Sequence, residues 1–240
     1  MPEVRTAVVA SGREFVRKPL NLVLLAVLPP AVVVGYAEAM AVFPVLPGVT
    51  APPATLGRVS GALFAAAFLA GVVGLFQVIS ARRADGRLAL AGFSRRGLLA
   101  GRLLTVAGVG VAGATVSLAA LWYGVEPEQP LLAFGALVLA GLSYGLLGVL
   151  VGSVLPRELE GSLVLVFAAD VDAALSSGLV EGVESVARFL PLHHVHAVFE
   201  AAVLDSSVPT ADAGLALAYT AVLAVLATIA YARLTRGGAA

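Results

Sequence analysis

Long apolar runs alternate with short polar breaks along most of this chain. Six runs approach the roughly 20 residues that cross about 30 Å of hydrocarbon. They are Leu22–Phe43, Val59–Ser80, Leu103–Gly124, Leu131–Leu155, Gly161–Val180 and Ala211–Ala232. Within lipid the backbone must satisfy its own hydrogen bonds, which helices do segment by segment. The pattern predicts an all-α integral membrane protein with six transmembrane helices in one domain, residues 1–240. Residues 1–18 form a cytosolic amphipathic helix, 22–180 hold spans one to five, and 181–210 form an outer loop with some helix. Span six covers 211–232, and 233–240 are a cytosolic tail. The first run is span-length and lacks a small-residue cleavage site, so it reads as a retained helix.

The breaks carry their own signals. Val4, Ala7, Val8, Ser11 and Phe15 recur at helical spacing, with Arg5, Arg13, Glu14, Arg17 and Lys18 elsewhere; such a helix lies in the headgroup plane, the alternative being a frayed tail. Pro29-Pro30 should bend or break the first span. Pro44–Arg58 reads as an irregular outer loop. Gly141 with Gly145, and Gly148 with Gly152, are small-xxx-small pairs suited to close helix contact, and Gly108, Gly110 and Gly113 cluster in the third span. The fifth span is the least apolar. Asp170 and Asp172 each cost about 2.5 to 3.5 kcal/mol at the bilayer centre. Both acids are candidates for a translocation path, although two residues on a helix differ by about 200° and do not share a face. The alternative is a helix that stops early and leaves both at the outer interface.

Composition agrees with the pattern: the chain is 60% hydrophobic and 12% charged, about half the charge of a soluble domain. The charges are unevenly placed. Between Ala81 and Arg102 stand Arg82, Arg83, Arg87, Arg95, Arg96 and Arg102 against one acid, Asp85. These fall on the same side as Arg5, Arg13, Arg17, Lys18, Arg157, Arg233 and Arg236, leaving only Arg58 and Arg188 opposite. Bases collect in cytoplasmic loops, so the island is cytosolic, and the chain is expected to be multi-pass in the plasma membrane with both termini cytoplasmic. Fourteen of the fifteen basic residues are arginine, a usage that suits a prokaryotic genome.

Several chemistries are excluded. Cysteine is absent, which removes disulfides and thiol catalysis. The single lysine, Lys18, follows no glycine-rich loop, so this chain does not bind ATP. No catalytic residue, cofactor or nucleic-acid partner is expected. His193, His196 and Glu200 stand at i, i+3 and i+7 after Pro191, beside His194, and are weak candidates for a metal site. The alternative is an interfacial helix whose polar side meets water.

Three stretches together resemble the membrane subunit of a type-2 ABC transporter. Pro19–Pro30 looks like that family's opening span, and Arg83–Leu104, ending Gly101-Arg102-Leu103-Leu104, is similar to its loop between spans two and three. Phe189–Leu204 resembles its Leu-Pro segment before the last span. The chain departs from the family in having Gly92-Phe93-Ser94 where a Thr-Pro pair is common, and in the aspartates of span five. The resemblance implies a permease, an exporter, that dimerises with itself or a related permease amid membrane lipids. It also implies a cytosolic ABC ATPase as partner, which supplies ATP and Mg. Ala81–Ala91 would be a coupling helix seated in that ATPase, with Arg82, Arg83 and Arg87 pairing with acids and Leu88, Leu90 and Phe93 filling an apolar pocket. Ser94 would cap the helix that follows. Two other classes fit the residues alone: a membrane scaffold or assembly factor, and an intramembrane metal protein built on the histidines.

Overall fold

The structure, a computed structural model, describes residues 2–17, 19–44, 51–177, 182, 184–205 and 207–237. Among these, ten helices follow in order: α1 (Pro2–Arg17), α2 (Pro19–Ala41), α3 (Pro53–Ile79), α4 (Arg82–Leu90), α5 (Arg95–Trp122), α6 (Pro130–Val154), α7 (Glu158–Ser176), α8 (Glu184–Ala187), α9 (His193–Leu204) and α10 (Thr210–Gly237). The described residues contain no strand.

Helix α3 is the hub. Its most apolar stretch is 78% buried, against 17% for α2 and for α10, and α2, α5, α6, α7 and α9 all pack on it. Small residues permit this crowding. A Cβ on Gly148 of α6 would strike the carbonyl of Gly71, and one on Gly74 would strike that of Gly145. At Gly152 it would lie 2.9 Å from the Leu75 carbonyl oxygen. Lipid gives apolar helices little reason to associate, so close backbone contact and dispersion must hold this pair. The glycine pairs of α6 are therefore used: Gly148 and Gly152 face α3, a Cβ on Gly145 would strike Val106 of α5, and one on Gly141 would lie 3.4 Å from the Gly110 Cα of α5. Gly108 faces open space.

Two apolar cores fill the bundle. Toward the end that bears α4, Val78, Leu99, Val106, Leu146, Val149, Leu223 and Tyr231 pack together. Toward the opposite end Val33, Leu63, Phe64, Leu121, Leu137, Tyr144 and Phe199 do so. Helix α1 lies along α5, with Phe15 buried against Val73 and Val109; the amino terminus is a packed helix and not a frayed tail.

Among the described residues five helices, α2, α3, α5, α6 and α10, are long and apolar enough to cross a membrane. Helix α7 carries Glu158, Glu160, Asp170 and Asp172 and is not among them. It starts at the α4 end, where Gly161 abuts Leu75, and runs toward the opposite end, where it is fastened to α9.

Some boundaries differ from expectation. Helix α3 begins at Pro53, so Arg58 belongs to a helix and not to an irregular loop; proline at a first helical position loses no needed hydrogen bond. Helix α2 runs unbroken through Pro29-Pro30, prolines being common in membrane helices. Helix α10 continues to Gly237, so the basic tail extends the last helix. The predicted end of span five, 178–180, lies outside the described residues.

Candidate functional site

The hairpin between α3 and α5 is shaped by three local signals. Leucine, alanine and arginine favour helix, and α4 starts with the Asp85 N–H donating to the Ala81 carbonyl at 2.8 Å. Gly92 ends it. At φ +96° it takes the left-handed conformation that glycine adopts without penalty. The Phe93 N–H then reaches back to the Leu88 carbonyl at 3.0 Å, the six-to-one bond of a Schellman turn. Ser94 caps α5 as expected, its side chain accepting from the Gly97 N–H at 3.0 Å. The departure at Gly92-Phe93-Ser94 thus has a local reason: one residue stops a helix and another starts the next.

One face of α4 is committed to the bundle. Arg82 was expected on the docking surface, but its Nη2 donates to the carbonyls of Gly152 at 2.8 Å and Leu155 at 3.1 Å. These belong to the last turn of α6, whose carbonyls lack helical partners and carry the negative end of the dipole. A guanidinium satisfies both needs. One turn along, Asp85 is buried. Its Oδ1 accepts from Arg102 Nη2 at 3.0 Å and its Oδ2 from the Tyr231 hydroxyl at 2.7 Å. Arg102 also donates to Gln77 Oε1 at 2.8 Å. Burying an ion pair is costly unless its remaining donors and acceptors are occupied, and here both partners have a second bond. Sequence reasoning missed this cluster; its visible trace was the lone acid within the arginine island.

The other face is open. Arg87, Leu88, Leu90 and Phe93 are exposed, Leu90 at 78%. Apolar side chains this exposed at the polar end of a membrane bundle form a patch suited to another protein. Arg83 lies within α4, and its side chain lies outside the described residues.

The opposite end holds a second polar cluster. Asp172 is buried and accepts four hydrogen bonds: from the Tyr144 hydroxyl at 2.7 Å, the Ser176 hydroxyl at 3.0 Å, and the Leu192 N–H at 3.0 Å and 3.3 Å to its two oxygens. One carboxylate thus pins α6, α7 and the start of α9 together. Asp170 faces the other way and is exposed, so the two path candidates do not form one site. The far end of α9 pairs with the α5–α6 connection, where the Gln129 N–H donates to the Ala202 carbonyl at 2.9 Å.

The histidines divide. His194 Nδ1 lies 2.8 Å from Asp212 Oδ1 and its Nε2 lies 3.2 Å from the Arg188 carbonyl. His196 is buried, with Nε2 3.3 Å from Ser60 Oγ and Nδ1 3.5 Å from Glu200 Oε2. Burial lowers its pKa to about 4 and raises that of Glu200, the latter helped by Asp205. His193 is lowered by burial and by His194. Expected beside water, the His194 and His196 rings are packed into the fold, and His193 is half-buried. His193, His196 and Glu200 do not converge, and no group of three or more potential ligands does so among the described residues.

A helical bundle of apolar, membrane-length helices with a capped polar hairpin at one end defines a multi-pass membrane protein. Residues 54–233 match the family model described as ABC-2 family transporter protein. The chain belongs to that family, and is the membrane subunit of a type-2 ABC transporter. No curated protein matches it. The family's members transport and are not themselves catalytic, and they work in general with an ABC ATPase.

Proposed function

We propose that this chain is the permease of an ATP-driven exporter and that α4 is the helix a separate cytosolic ABC ATPase grips. One observation carries this reading: α4 is bound to the bundle by Arg82 and Asp85, yet presents Arg87, Leu88, Leu90 and Phe93 outward. Leucine and phenylalanine anchors rimmed by arginine are the usual makings of a protein contact, few residues giving most of the energy. ATP and Mg belong to the partner, and closure of its two copies pushes on α4 and α1. The protein sits in the plasma membrane with both termini cytoplasmic, because α1, α4 and Arg233 share the basic end. Helix α7 is the sixth crossing, its least lipid-compatible group, Asp172, being sheltered by Tyr144 and Leu192. Two permeases, identical or related, enclose the path, and exposed Asp170 is its candidate lining residue.

The test is affinity capture of the co-expressed ATPase from detergent. Wild type should retain it, and the Arg87→Glu, Leu90→Ala, Phe93→Ala variant should lose it while still inserting in the membrane. Absence of an ATPase from the wild-type preparation refutes the reading.

A further inference from the structure

We propose that Asp85 and Tyr231 are positioning residues that carry the displacement of α4 to α10, so that the last span moves with the hairpin. This rests on the reading of α4 as the docking helix. Helix α4 is covalently continuous only with α3 and α5, whereas Tyr231 is 146 residues from Asp85. Even so, the carboxylate joins them at 2.7 Å in a buried setting. Hydrogen bonds to an ionised acceptor are short and about twice as strong as neutral ones, and parting this one would strand a buried carboxylate oxygen. Moving α4 without α10 is therefore unfavourable. Helix α10 is otherwise placed to move: it lies at the periphery, 17% buried over its most apolar stretch. It meets the bundle through Leu223, Ala227 and Tyr231 near the α4 end, and through Ala216 and the Asp212–His194 pair at the other. Ser143 and Thr220, 2.7 Å apart, fix its middle to α6 and supply a pivot. Arg102 belongs to the same cluster and ties the seam to α5 and α3.

The absence of cysteine makes a spin-label test direct. Labels at Leu90→Cys and Arg233→Cys, both exposed, should give one narrow distance distribution. Tyr231→Phe, and separately Asp85→Asn should the first variant fold poorly, should roughly double its width. The control pair Leu90→Cys with Leu104→Cys, within the α4–α5 hairpin, should stay unchanged in Tyr231→Phe, which leaves the Asp85–Arg102 bond in place. A distribution equally narrow in both variants overturns the tie. In the captured complex, Tyr231→Phe should hold the ATPase as wild type does, yet lose at least half of the nucleotide-driven shift between labels at Leu131→Cys and Ala211→Cys. An undiminished shift overturns the transmission. Failure of wild type to capture an ATPase would sink the docking reading, while the Leu90–Arg233 pair still decides the tie.

Discussion

Replacing Gly148 with alanine tests the packing on which the bundle rests. The added Cβ would fall onto the Gly71 carbonyl and within 2.9 Å of the Leu75 nitrogen. Both are backbone atoms in the most buried helix, so no side chain can swing aside. Overpacking typically costs 1–3 kcal/mol, and with only backbone to yield the upper end, about 3 kcal/mol, is expected. At roughly 2–4 °C per kcal/mol for a chain of this size, the unfolding midpoint should fall by about 6–12 °C. The natural control is Gly135→Ala in the same helix. Its Cβ meets nothing within 4 Å, so the midpoint should hold or rise by the helix preference of alanine, up to about 1 kcal/mol. Heated aliquots of detergent-purified protein, scored by the monodisperse fraction on gel filtration, give both midpoints. A Gly148→Ala midpoint indistinguishable from that of Gly135→Ala would refute the close-contact account.

Other expectations follow from the polar clusters. Asp172→Ala leaves Tyr144, Ser176 and the Leu192 N–H without their acceptor; at roughly 1–3 kcal/mol for a stranded buried group, its thermal midpoint should drop several degrees. Asp170→Ala, on the exposed face, should not move it. His196 is neutral when folded and titrates near 4, against an ordinary value near 6.5. The unfolded chain therefore binds the extra proton first, so stability is complete above about pH 6.5 and declines as pH falls toward 4, by roughly 3 kcal/mol at most. Urea or thermal midpoints measured across that range should lose this part of their slope in His196→Gln. Arg82→Ala strips a cap from α6 and should weaken the fold more than Arg87→Ala, which should instead weaken capture of the ATPase.

Much of this arrangement was legible because it is local. The apolar runs located α2, α3, α5, α6 and α10. Ser94 announced a cap, the Gly145 and Gly148 region announced close contact, and the arginine island announced the hairpin. What escaped lies between elements. Sequence spacing tells how residues sit around one helix axis, and not which distant helix they meet. Asp85 gave no sign of Tyr231, nor Asp172 of Tyr144 and Leu192. The same limit misplaced Arg82: nothing in Ala81–Ala91 shows that the end of α6 arrives beside it needing a donor. Among the histidines, spacing favoured His193, whereas Asp212 of α10 selects His194. Gly92 was readable in hindsight as the glycine just past a helix, a signal obscured by comparing that position with a Thr-Pro pair.

The claim that α4 is gripped by a motor is tested most directly by a photo-crosslinking residue placed at Leu90 and, as control, at Leu131 of the opposite end. In membranes containing the co-expressed ATPase, the Leu90 position should yield a crosslinked permease–ATPase band and the Leu131 position none. A band from Leu131, or none from Leu90 while the ATPase is present, would contradict the account.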